Sequence, residues 1–189
     1  IGNLTVPPRC LDATLLAICA QKLSDGFFRV RVLMYGDGVF IRRSPLDGTV
    51  NVYHVEYQTV PPLPSGAPFY LSYLLNAARL ESYRASCNAP KILTQSINGV
   101  VERTEVSFDE PMSFSYPRLS ATDQLQVTSD GINSFKNAVA ESVPFENFVD
   151  MFSVYKNTNG EFLQRRMKAF YRQLGTEQWV HDDDISNAA

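Results

Sequence analysis

The sequence predicts an α+β layered domain, and three observations carry that prediction. From about Ala13 to Tyr57, β-type runs alternate with turn signals, which reads as an antiparallel meander. A second β-type run, Gln124-Leu125-Gln126-Val127-Thr128, ends at Ser129-Asp130-Gly131. Beyond Gly131, apolar residues twice recur at helical spacing. Strands, then helices, then a closing strand suit a layered α+β domain better than an alternating parallel sheet.

The elements follow in chain order. Ile1 to Asp12 reads as irregular, with Pro7-Pro8 as a breaker. Ala13 to Ala20 is a short apolar run, and the Ser24-Asp25-Gly26 boundary favours a strand and a hairpin turn. Cys19, inside that run, is expected to be a buried thiol. Phe27 to Tyr35 alternates, with Arg29 and Arg31 on one face, as in a half-buried strand. Gly36-Asp37-Gly38 is a tight turn, and Val39 to Arg43 is the next strand. Asp47-Gly48 is a strong hairpin signal, leading to the alternating Val50 to Tyr57. Pro61 to Gly66 is a loop, and the Leu71, Leu74, Leu75 spacing allows a short helix. Lys91 to Phe108 returns to β-type sequence with a turn at Asn98-Gly99. Pro111 to Ser120 reads as an irregular aromatic connector.

Phe145, Phe148, Val149 and Phe152 then mark one amphipathic helix. Leu163, Met167, Phe170, Tyr171 and Leu174 mark another, with Asn159 as the expected N-cap and Gly175 as the expected stop. The segment from Asp183 onward reads as a strand.

A chain of 189 residues suits a single domain with a real core. It is 44% hydrophobic and 12% aromatic, which argues against disorder. A net charge of −3 gives no reason to expect a nucleic-acid partner. Cys10, Cys19 and Cys87 lack CxxC spacing, and only His54 and His181 could join them. A zinc site and a disulfide framework are therefore not expected. No apolar run reaches the length of a membrane span, and no signal peptide is visible, so a cytoplasmic location is expected. The abrupt ends, without an initiator Met and stopping inside a strand, lead to the expectation that both are cut relative to the encoded protein.

Three acidic sites stand next to strands: Asp37, Asp130 and the trio Asp182-Asp183-Asp184. Each alone is explained as a turn, a cap or a solvated loop. Together they can converge, because an antiparallel sheet can bring strand ends to one edge. Carboxylate clusters of this kind suit hard cations such as Mg2+ and Mn2+. The sequence holds no Walker-type loop, GxGxxG or HExxH.

Tyr35-Gly36-Asp37-Gly38-Val39, Thr128-Ser129-Asp130-Gly131-Ile132 and Asp183-Asp184-Ile185-Ser186, in that order, resemble the later motifs of the PP2C-type (PPM) metal-dependent protein phosphatases. Leu11-Asp12-Ala13-Thr14-Leu15-Leu16 is similar to a strand of that family which opens with small residues and threonine. The resemblance runs from about Leu11 to the end. It implies one PP2C-like domain over residues 1–189: a β-sandwich of antiparallel sheets flanked by helices in α-β-β-α layers. It also implies an Mg2+ or Mn2+ site at one end of the sandwich, where a water is positioned to attack phosphoserine or phosphothreonine on a protein substrate. By position, Asp130 and Asp183 match metal ligands, and Asp37 matches a residue that helps hold an additional, weaker metal.

The family's early acidic motifs, including an Asp-Gly bridging both metals and a phosphate-holding arginine, are absent. Gly38 replaces a serine, Ser134 stands where many members carry an acid, and Asp184 replaces an asparagine. These departures motivate an alternative from another class: a catalytically inactive, PP2C-like pseudophosphatase that acts as a binding or regulatory module. A purely structural domain with chance Asp turns would instead leave Asp130 and Asp183 far apart.

Overall fold

A computed structural model describes residues 12–58, 68–87, 89–143, 145, 149–155, 157–181, 185 and 187–189. It is a mixed α+β structure built on two antiparallel sheets. The smaller holds β1 (Leu15–Lys22), β2 (Phe28–Tyr35) and β7 (Met112–Leu119), in the order β1-β2-β7. The larger holds β3 (Gly38–Arg43), β4 (Val50–Tyr57), β5 (Lys91–Ile97), β6 (Val100–Val106), β8 (Gln124–Thr128) and β9 (Asn187–Ala188). Its order is β6-β5-β4-β3-β8-β9.

The meander is split between the sheets. β1 pairs with β2, and β3 with β4, but β2 and β3 belong to different sheets. The Gly36-Asp37-Gly38 turn is the crossing point. The burial patterns give the reason. β2 alternates, with Val30, Val32 and Met34 inward and Arg29 and Arg31 exposed. Val39, Phe40 and Ile41 of β3 are all buried, as in a strand covered on both faces.

Two apolar layers result. Between the sheets, Val30, Val32 and Met34 meet Phe40, Val55, Leu119 and Val127. On the other face of the larger sheet, Val39, Ile41 and Val52 meet Phe135, Phe152, Phe170 and Leu174. Phe152 lies on α3 (Val149–Ser153), and Phe170 and Leu174 on α4 (Phe162–Glu177). The remaining helices, α1 (Leu71–Leu74) and α2 (Ala77–Ser86), build a third cluster in which Phe69, Tyr83 and Cys87 contact Tyr35, Tyr57 and Phe108. Among the described residues, no helix covers the outer face of the smaller sheet, where Cys19, Arg29 and Arg31 are exposed. The described part thus shows a helix layer on the larger sheet and the smaller sheet on its other face.

Several expectations are corrected. Cys19 is exposed, because it pairs with Arg31 on that outer face. Pro111 to Ser120 is no connector: Met112, Phe114 and Tyr116 turn inward and β7 pairs with β2. Pro117 is tolerated because β7 is an edge strand with a register shift opposite Phe28 and Val30. The helix expected around Phe145 to Phe152 is described only as the short α3, although Phe145, Val149 and Phe152 all reach the core. Asn159 does not cap α4. The N-cap is Glu161, without a side-chain bond, and the Asn159 carbonyl accepts from Arg165. Gly175 does not stop α4 either; Gln178, in the left-handed region at φ +56°, does.

Candidate functional site

Asp37 and Asp130 come together because β3 and β8 are neighbours. Val39 pairs with Thr128, and carrying that register two residues further sets Asp37 opposite Asp130. Asp130 follows the strand end and opens a short 3-10 turn, Asp130–Asn133, whose N-cap is Ser129. Its expected role as a cap for the following segment therefore passes to Ser129.

The Asp37 turn is shaped for close approach. Gly36 has φ +93°, and a Cβ there would lie 2.6 Å from the Thr14 hydroxyl. Gly38 has φ +144°, and a Cβ there would lie 2.6 Å from the Thr128 carbonyl oxygen. A serine at 38 would meet that carbonyl, so the glycine follows from the backbone path. Thr14 donates to Asp37 Oδ1 at 3.1 Å and fixes its orientation.

The electrostatics are those of two facing carboxylates. Asp37 is pushed up to about 6, first by burial and then by the neighbouring Asp130 carboxylate. The Thr14 bond opposes the shift without cancelling it. Tyr70 also feels this end of the molecule: it is pushed up to about 12, first by burial, with Asp37, Asp130 and Asp12 adding to the effect.

Asp37 and Asp130 line one open groove of about 320 Å³ with His54, Glu56, Tyr57 and Ser134. The residues from β4 are the ones sequence reading missed. A signal for them existed in the Asp47-Gly48 hairpin. Its register pairs Gly38 with Val55, and one further step sets Glu56 opposite Asp37. His54 Nδ1 lies 3.8 Å from Glu56 Oε1. The Ser134 hydroxyl donates to the Gly131 carbonyl at 2.8 Å, so its own 3-10 turn holds it.

Asp183 lies outside the described residues, as do Asp182 and Asp184. The strand that follows them, β9, pairs with Val127 and Thr128 beside the site. Among the described residues, no group of three or more His, Cys, Asp or Glu is placed to hold a metal ion. A larger cavity, about 470 Å³, opens elsewhere, between the sheets. Its walls, including Leu16, Ile18, Leu125 and Val127, are mainly apolar, so the groove at Asp37 and Asp130 is the chemically distinctive one.

Two carboxylates share a groove, Asp37 is raised first by burial and then by Asp130, and hydroxyl and glycine contacts hold the turn in place. Compared with known proteins, the chain matches no family model, no curated protein and no solved structure.

Proposed function

We propose that this protein is a metal-dependent phosphatase of the PP2C type, acting on phosphoserine or phosphothreonine in protein substrates. The observation that carries the reading is the meeting of Asp37 and Asp130 at one end of two adjacent strands. Two separate sequence motifs that resemble that family thus reach one groove.

In this reading Asp37 and Asp130 hold Mg2+ or Mn2+, and Asp183 is a further proposed ligand. The chemistry such a cation supplies is Lewis acidity, which activates water at neutral pH and offsets phosphate charge. The chain's own work is positional. Thr14 orients Asp37, and the glycines bring the turn against Thr14 and Thr128. The openness of the groove lets a phosphorylated side chain on a protein surface enter, and Tyr57 and Tyr70 stay protonated as donors near it. Two carboxylates without a cation would repel a phosphate; with one, the same groove attracts it.

The test is Mn2+-dependent hydrolysis of p-nitrophenyl phosphate, with Asp130→Asn as the control. Activity that needs Mn2+ and is lost in the control supports the enzyme. A folded protein without activity favours the second reading, the non-catalytic binding module. That reading draws support from Ser134, which lines the groove with a hydroxyl where a further acid would strengthen cation binding.

A further inference from the structure

A second groove, about 320 Å³, lies against α4 and is lined by Tyr155, Asn157, Phe162, Arg165, Arg166 and Ala169. Its polar character is opposite to that of the carboxylate groove. It presents two adjacent arginines and no acidic side chain. Neither arginine makes a carboxylate ion pair among the described residues. Arg165 donates to Asn157 Oδ1 at 3.0 Å and to the Asn159 carbonyl, and Arg166 donates to the Asp150 carbonyl at 3.3 Å.

The unmet hydrogen-bonding capacity here is on the donor side. Arg166 Nε is buried without a partner. Behind the wall, Tyr155 donates to Gln126 Oε1 at 2.7 Å, while Gln126 Nε2 is a second buried donor without a partner. Gln126 is only 2% exposed. A buried donor left unpaired costs roughly 1–3 kcal/mol, so Arg166 Nε, on a residue that lines the groove, calls for an acceptor-rich guest. Burial also holds the Arg166 guanidinium below its ordinary range, although nearby Tyr155 and Asp150 act the other way, and an anion in the groove would offset the remaining penalty.

We propose that this groove binds a phosphate group, through the guanidinium forks of Arg165 and Arg166. Guanidinium pairs match the geometry of phosphate oxygens and hold them by charge-assisted bonds. The Tyr155 and Phe162 rings, in edge contact at 5.1 Å, give the groove an apolar wall for whatever carries the phosphate. The site is separate from the carboxylate groove, and its occupancy does not depend on the catalytic reading.

The test uses the whole chain in EDTA, titrated with inorganic phosphate and, separately, with a phosphoserine peptide, against chloride at equal ionic strength. Amide chemical shifts report the location. Phosphate-specific shifts over residues 155–169, weakened at least tenfold in Arg165→Gln/Arg166→Gln and retained in Asp130→Asn, are expected. Tighter binding of the peptide would identify a phosphoester as the natural source; equal binding would identify free phosphate, and both support the site. Shifts that chloride reproduces, or that appear only around Asp37 and Asp130, would overturn it. The wild-type titration decides this even where the double variant does not fold.

Discussion

β3 and β8 carry acids at both ends, and the two ends treat them differently. At the β3 C-terminal end, Asp123 accepts from Arg42 at 3.3 Å, and the Ser120 amide donates to the same carboxylate at 3.3 Å. Asp47, in the adjacent turn, accepts from the Thr49 amide at 2.8 Å. At the other end, Asp37 and Asp130 face each other, and Thr14 donates to Asp37. Lys91 starts the neighbouring β5 at this end, yet it donates to the Glu110 carbonyl and lies 5.6 Å from the Tyr57 ring. At one end of these strands Asp123 is thus paired with a cation and Asp47 with an amide, while the other end holds a like-charge pair. A like-charge pair of this kind, raised by burial, marks a candidate functional site.

The sharpest way to break this comparison is to neutralise one acid at each end. Asp130→Asn is expected to lower Mn2+-dependent p-nitrophenyl phosphate hydrolysis by about two orders of magnitude, in keeping with loss of a metal ligand. Asp123→Asn should leave that activity intact. Urea denaturation should then show it less stable by about 2 kcal/mol, because Arg42 loses its charged partner. Equal activity loss in both would erase the distinction between the two ends.

Gly38→Ala probes the path that brings the site together. Its Cβ would sit 2.6 Å from the Thr128 carbonyl at φ +144°. A loss of about 3 kcal/mol is expected from strain and displacement, read from the denaturation midpoint. An unperturbed midpoint would mean that β3 and β8 can separate at this end without cost.

Lys91 gives the pH-dependent contrast. It is 1% exposed, and burial lowers it from 10.5 to about 8. Between pH 8 and 10 the unfolded chain holds this proton more tightly than the folded one, so stability rises with pH across that window. Falling below pH 8 restores the full penalty of ~3 kcal/mol. Lys91→Met should flatten the slope. At pH 7 it should be more stable by about 2 kcal/mol, after ~1 kcal/mol for the lost bond to Glu110. A slope that survives in the variant would assign it to another group.

How far the sequence spoke depended on whether the deciding interaction was local. The turns at Asp47-Gly48 and Asn98-Gly99 were legible because each is set by its own residues; Asn98 and Gly99 both have positive φ, at 48° and 86°. The Leu163 to Leu174 stripe announced α4 for the same reason. The sheet crossing at Gly36-Asp37-Gly38 was harder, since a Gly-Asp-Gly turn also suits a hairpin. The amide of Gly36 bonds instead to the Phe69 carbonyl at 2.8 Å, a partner that no local pattern reveals. β7 was hidden by Pro117, which only an edge position makes acceptable. For the site, Asp37 and Asp130 were visible as strand-end acids. His54, Glu56 and Tyr57 needed a register, and the Arg165 and Arg166 groove needed the packing of α4.

The central claim is that the Asp37 and Asp130 pair is completed by a divalent cation, and calorimetric titration of the metal-free chain with Mn2+ tests it most directly. Saturable Mn2+ binding that raises the melting temperature, and that Asp130→Asn abolishes while Asp123→Asn preserves, is the predicted result. Absence of Mn2+ binding by the folded wild-type chain, or binding unchanged in Asp130→Asn, would contradict the account.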